Sequence, residues 1–303
     1  MQFVGIRFQK FYEWKKVYGS ERVIERAPRP DRIRPEEKQA VIEFKKAHMT
    51  TGYRRLAWMM VDQCIAAISP SSVLRILTEV DLNTRWTRPP GEPKKKGFTQ
   101  PKRPHEQWHI DIAYINFRGT FLFLAAVLDG FSRAILAWEI RESMKAFDVD
   151  MLVRKANDIW VEEFGRKPRL ITDNGPQFIA REFRDSLREM TIKQTRITPY
   201  HPQSNGKIER FNGTAKQEKL RVMPMIDDDQ VREDFGGWID YYNQERLHSA
   251  IDYVAPFDVL YGRREKIIET REQKLIHAKI SRIEKNTEQE KVEESKELTE
   301  VVV

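Results

Sequence analysis

The sequence predicts an α/β fold, a mixed sheet flanked by helices, preceded by a small all-α domain of helix-turn-helix type. Two observations carry that expectation. Three apolar, β-prone runs at residues 108–117, 121–128 and 134–140 are separated by Gly119 and by Asp129-Gly130-Phe131-Ser132, and alternating helix-like and strand-like stretches follow them. Ahead of the sheet, helix-like stretches at residues 36–48, 52–63 and 70–82 stand together as a group.

Taken in chain order, residues 1–35 form a basic and aromatic front segment. Within it, residues 8–19 mix aromatic side chains with lysines and end at Gly19, a helix-stop signal, before a Pro/Arg-rich connection at 27–35. Residues 36–83 hold the three helices. The third has Ser69 as N-cap and Pro70 at its first position, and it offers Ser71, Ser72, Arg75 and Thr78 to DNA as the reading helix of a helix-turn-helix would. A helical bundle used only for packing is the bland alternative. Residues 84–103 read as an extended linker, with Pro89, Pro90, Pro93 and Pro101 around Lys94, Lys95 and Lys96, which suit a phosphate backbone.

The core spans residues 104–262. After the three strands come a helix at 146–164, a strand at 169–172, a helix after Gln177, a short strand at 193–197 and a long helix over 204–222. In residues 263–303, Ile268, Leu275, Ile276, Ile280 and Ile283 recur at helical spacing, and from Asn286 onward Glu and Lys dominate; the expectation is a charged helix passing into disorder.

Bulk properties exclude several classes. The single cysteine, Cys64, rules out an internal disulfide framework and argues against a structural Cys/His zinc site. No charged-then-apolar signal segment opens the chain, and the longest apolar run, 121–128, is far short of the roughly 20 residues that span a bilayer, so a cytoplasmic protein with no membrane partner is expected. The net charge is +7, unevenly placed: residues 1–103 hold 22 Lys/Arg against 11 Asp/Glu, residues 104–262 hold 21 against 25, and residues 263–303 hold 10 of each. A basic front end joined to a mildly acidic core fits a nucleic-acid-binding module attached to a metal-binding enzyme.

Three acids stand out. Asp111 lies in the strand-like run His109-Ile110-Asp111-Ile112-Ala113-Tyr114-Ile115, Asp173 follows Arg169-Leu170-Ile171-Thr172, and Glu209 lies in the helix-like stretch after His201-Pro202-Gln203-Ser204-Asn205-Gly206. Such carboxylates suit hard Mg²⁺, which takes oxygen ligands and keeps positions open for a phosphodiester and water. Singly, either aspartate is more often a cap or a strand terminator. Asp129, at an apparent turn, reads as structural.

The contexts of these acids resemble one family. From residue 108 to 262 the chain is similar to the catalytic core of the DDE transposase and retroviral integrase superfamily, most like OrfB-type transposases of bacterial insertion sequences. Thr172-Asp173-Asn174-Gly175, then His201-Pro202-Gln203-Ser204-Asn205-Gly206-Lys207-Ile208-Glu209-Arg210, then Tyr242-Asn243-Gln244-Glu245-Arg246-Leu247-His248 occur in the family's order, with 35 residues between the second and third acids. Gly52-Tyr53-Arg54-Arg55-Leu56 resembles a phrase of the same family upstream of the core. One departure is Ala113, where relatives often carry Thr two residues after the first acid.

The resemblance implies an RNase H-like core with Asp111 and Asp173 on neighbouring strands and Glu209 on a nearby helix. It implies two Mg²⁺ ions per site, with Mn²⁺ as substitute, Asp111 bridging them, and cleavage at transposon ends followed by transfer of the 3′-OH into target DNA. Lys216, about two helical turns after Glu209, would share its face and reach DNA, with Asn174, Asn205, Lys207, Arg210, Arg54, Arg55, Arg75 and Lys94 to Lys96 as further DNA contacts. Arg246 and His248 suit packing or a salt bridge equally well. The implied partners are double-stranded DNA, a homo-oligomer of at least two copies when ends are paired, and an upstream-frame fusion; when bound to DNA the protein would lie with the nucleoid. A catalytically silent DNA-binding regulator and a nonspecific nuclease of the same fold are the competing readings.

Overall fold

A computed structural model describes residues 8–18, 29–83, 100–197 and 205–300. Lys94, Lys95 and Lys96, with nearly all of the linker, lie outside the described residues, as do His201 to Ser204. Two compact units are present: one drawn from Met1–Lys38 and Ile276–Val303, the other Gln39–Leu275.

The first unit contains α1 (Phe8–Val17), the start of α2 (Pro35–Ala47) and the end of α11 (Arg264–Glu300). Its α11 portion is fixed to the start of α2 and to the chain just ahead of it by polar contacts. Arg282 forks Glu37 with both bonds at 2.9 Å, and the buried Asn286 amide donates to the carbonyls of Pro30 (2.8 Å) and Arg32 (3.0 Å). The expected passage into disorder at Asn286 is not seen: α11 is helical through Glu300. Asn286 is itself an anchor, and the Glu and Lys residues beyond it are strong helix formers.

The second unit holds α3 (Tyr53–Asp62) and α4 (Pro70–Glu79) ahead of the sheet. Ser69 caps α4 by accepting from the Ser72 amide, with Pro70 at the first position, as the sequence predicts. The start of α11 is tied to α3 by Arg271, which forks Asp62 at 2.8 and 2.6 Å while its guanidinium lies 5.1 Å from the Trp58 ring centre.

The sheet has five strands in the order β3-β2-β1-β4-β5: β1 (Gln107–Phe117), β2 (Thr120–Asp129), β3 (Ile135–Arg141), β4 (Arg169–Thr172) and β5 (Lys193–Arg196). β1, β2 and β3 form an antiparallel meander, while β4 and β5 run parallel to β1. The β1–β2 hairpin turns through Arg118 and Gly119, both at positive φ, which matches the twist of the flanking strands. α5 (Ala146–Phe164) makes the crossover from β3 to β4, and α6 (Pro176–Ile179) and α7 (Arg181–Glu189) lead to β5. This connectivity is the RNase H-like fold.

Alternation along β1 divides the core. Trp108 and Ile110 face α5 and α7 through Val153, Trp160 and Leu187. Ala113, Ile115 and Phe117 face α8 (Gly206–Ala215) and α9 (Asp228–Gln244) through Ile208, Phe211, Phe235 and Trp238. The predicted helix over 204–222 is instead α8 followed by one π-helical turn, Lys216–Leu220. Glu218, in that turn, takes a bidentate pair from Arg246 (2.7 and 2.6 Å), with Arg55 of α3 at 3.6 Å, and these cations draw it inward. α10 (Pro256–Leu260) closes the core before α11. No helix among the described residues is long and apolar enough to cross a membrane.

Candidate active site

Parallel pairing of β1 with β4 sets the first two acids side by side. The register matches Trp108 to Leu170 and His109 to Ile171, then stops. Two residues further along each strand are Asp111 and Asp173, where the strands part. The carboxyl ends of parallel strands are where open α/β sheets leave room for ligands. Asp173 is steadied by its own loop: its Oδ1 accepts from the Gly175 amide at 2.8 Å, and the Asn174 side chain donates to the Ile197 carbonyl at 2.9 Å.

Glu209 comes to the same place on α8. Ile208, Phe211 and Ala215 press one face of that helix onto the sheet, which leaves Glu209 exposed in its first turn. Asn212, one turn on, donates to Asp111 Oδ2 at 2.9 Å and so ties the helix to the strand.

Electrostatics show the three acids to be neighbours. Burial, followed by the charges of Asp173 and Glu209, pushes the Asp111 carboxyl up to about 6, against the Ile112 backbone amide and the Asn212 amide, which favour its charged form. Among the described residues no group of three or more His, Cys, Asp or Glu side chains stands close enough together to hold a metal ion. The donor set, carboxylate oxygens of which one is raised by burial and then by its neighbours' charges, is of the kind that suits a hard divalent cation.

A buried polar cluster lies at the start of β1 and the end of β2. Asp129 is fully buried and accepts from the amides of His105 (2.8 Å), Phe131 (3.2 Å) and Ser132 (2.7 Å) and from the Ser132 hydroxyl (2.8 Å), the turn role predicted for it. Gly130 is required beside it, because a Cβ there would lie 2.9 Å from the Gln107 carbonyl and 3.0 Å from His109 Nε2. His109 is held neutral, lowered to about 3 by burial and by the charge of Lys207.

The predicted DNA-binding residues divide. Asn205 is buried at the N-cap of α8, beside the His109 ring. Lys207 donates to the Gly130 carbonyl at 2.8 Å, and burial lowers it to about 7. Arg55 faces Glu218. These side chains are engaged within the protein, whereas Arg54, Arg75 and Arg210 are exposed and Lys216 lines an open cleft. The Tyr242 phrase is architectural. Tyr242 is buried, Asn243 accepts from and donates to the main chain of Ile135 (both 2.9 Å) as a strand would, and Arg246 holds Glu218. Sequence reasoning missed Asn212 and Glu218. The three-residue step from Glu209 to Asn212 was a signal for the first, while Glu218 carried none.

Fold and acids together define a class: RNase H-like cores with one carboxylate inside the first strand, one just past the fourth and one on a neighbouring helix. Residues 101–202 match the integrase core domain family, and residues 190–256 match a second integrase core domain family. The transposase for insertion sequence element IS904 of Lactococcus lactis is 30% identical over 161 residues, covering 51% of this chain and 61% of that protein. The chain thus spans about three fifths of the length of that relative. A putative IS986/IS6110 transposase of Mycobacterium tuberculosis is 24% identical over 70% of this chain and 83% of its own length. Among solved structures, a chain of the simian T-cell lymphotropic virus intasome is 18% identical with a TM-score of 0.48, covering 73% of this chain and 74% of that one. Residues 101–256 are thus similar to integrase core domains, and the relatives matched include transposases of bacterial insertion sequences.

Proposed function

We propose that this protein is a DNA transposase, a polynucleotidyl transferase that cleaves at the ends of an insertion sequence and joins the freed 3′-OH to target DNA. The observation that carries the proposal is the meeting of Asp111, Asp173 and Glu209 in one electrostatic neighbourhood within an integrase core domain. Asp111, flanked by both other acids, would bridge two Mg²⁺ ions, with Asp173 and Glu209 each serving mainly one and Mn²⁺ an alternative. When bound, the metal supplies Lewis-acid activation of water or the 3′-OH and stabilisation of the leaving oxygen.

The chain's own residues do the rest. The Asn212 amide orients the Asp111 carboxylate. The Gly175 amide orients that of Asp173. Lys216 and Arg210, on the helix of Glu209, would position phosphates, and Arg54, Arg75 and the Lys94 to Lys96 run would hold DNA ahead of the core, α3 and α4 acting as a helix-turn-helix. Bringing two ends together requires at least two copies, and an upstream-frame partner would extend the DNA-binding part. The test offers purified protein a duplex bearing element ends and a target duplex in Mg²⁺. Cut and joined products from the wild type, none from Asp173→Asn, and equal DNA binding by both are expected; undiminished joining by the variant would remove the assignment. Cutting of unrelated DNA without joining would indicate a nuclease instead.

A further inference from the structure

We infer that Lys207 and Asn205, which share a motif with Glu209, are positioning residues: they clasp the first turn of α8 to the turn after β2 and to β1, and so fix the roll that presents Glu209 to Asp111. The inference rests on the transposase reading and deepens it, assigning two motif residues to the acid site instead of to DNA. Lys207 donates to the Gly130 carbonyl at 2.8 Å, 77 residues away in sequence. The Asn205 amide lies beside the His109 ring as a hydrogen-bond partner. Asn205 is 3% exposed and His109 fully buried, and among the described residues no other group bonds to Asn205 Oδ1 or to either imidazole nitrogen.

The anchor for Lys207 is rigid. Gly130 donates its own amide to the Gln107 carbonyl at 2.7 Å, and Asp129 before it accepts from the amides of Phe131 and Ser132. The carbonyl that Lys207 meets therefore stands in a fixed turn. Lys207 is partly buried, whereas Arg210, in the same turn of α8, is exposed and free to meet a phosphate.

Helical spacing explains why attachments on two flanks matter. Lys207 and Asn212 are five residues apart, roughly 140° around the helix, so they flank the apolar stripe of Ile208, Phe211 and Ala215. The stripe alone would let α8 roll on the sheet. A bond on each side, Lys207 to Gly130 and Asn212 to Asp111, opposes rolling in both directions. With side chains reaching about 5–6 Å from the axis, a roll of roughly 10° would carry Glu209 about 1 Å. A displacement of that size costs a catalytic site about a hundredfold.

The test uses the full chain and three variants. Lys207→Met keeps the length of the side chain and removes the donor, Asn205→Ala cuts the second attachment, and Arg210→Gln removes the exposed cation nearby. Mn²⁺ is titrated into the metal-free proteins without DNA, and its binding is followed by electron paramagnetic resonance. Lys207→Met and Asn205→Ala should each weaken that binding about tenfold or more. Their joining rates should fall further in Mg²⁺, which demands near-ideal octahedral geometry, than in the more tolerant Mn²⁺. Both should bind DNA with the wild-type salt slope, while Arg210→Gln should flatten the slope and leave the Mn²⁺ midpoint unmoved. Should Lys207→Met fail to fold, the Asn205→Ala titration decides. An unmoved Mn²⁺ midpoint in the folded variants, even with a lowered melting temperature, would overturn the clasp and leave the transposase reading standing. So would a loss of DNA binding by Lys207→Met equal to that of Arg210→Gln. Wild-type protein that binds Mn²⁺ but neither cuts nor joins DNA would overturn the transposase reading, and the same titration would still judge the clasp.

Discussion

Asp111 sits where an acid is disfavoured. It is a carboxylate held partly out of water beside two like charges, and its pKa of about 6 records that strain. The sign of the linkage follows: a carboxyl raised on folding stabilises the protein at low pH, and that contribution is lost as pH climbs through 6. Asp111→Asn should therefore melt higher than wild type at pH 8 in metal-free buffer, by an amount on the order of 1–2 kcal/mol after screening, with the gain gone near pH 4. Thermal scans across that range check it. Magnesium should raise the melting temperature of the wild type and leave that of the variant unmoved. Asn212→Ala removes the amide that favours the charged form of Asp111, so the acid limb of the pH–rate profile should move upward. An unmoved limb would mean that Asn212 only packs.

Among elements, the π-helical turn after α8 is governed from outside itself. Arg246 is buried and gives two bonds to the more exposed Glu218, so Arg246→Ala should cost about 1–2 kcal/mol, measured by denaturant unfolding, after discounting for the solvent that reaches Glu218. Arg246→Ala combined with Glu218→Gln should cost less than the sum of the two. Gly130→Ala should destabilise by about 1–3 kcal/mol, since a methyl would press on the Gln107 carbonyl and the His109 ring. Elements such as β1, α5 and α4 were legible because their signals are local: alternation, helical spacing, and a serine followed by proline. The π turn was not, because no local pattern marks it and the partner of its Glu218 lies 28 residues away in sequence. The same reason separates exposed Arg210 from Lys207, which looked alike in the motif; a Gly130 carbonyl 77 residues away decides between them.

At the scale of the whole molecule, the basic front end and the acidic core set up the proposed division of labour, DNA affinity in the first and chemistry in the second. Affinity should fall steeply with salt. Neutralising Arg54 or Arg75 should flatten the slope of log K against log salt by about one unit each and weaken all sequences alike if these residues touch phosphate. The acids could be picked out in the sequence because each sits in a recognisable phrase, but their nearness could not, because it is made by the β1–β4 register and by the seat of α8 on the sheet. That nearness is the central claim. Its most direct measurement is joining of a pre-cut 3′-OH end to target DNA in Mg²⁺ by Asp111→Asn, Asp173→Asn and Glu209→Gln, with DNA binding measured in parallel. All three variants should bind DNA as the wild type does and give no joined product; wild-type joining by any one of them would contradict a site built from these three acids.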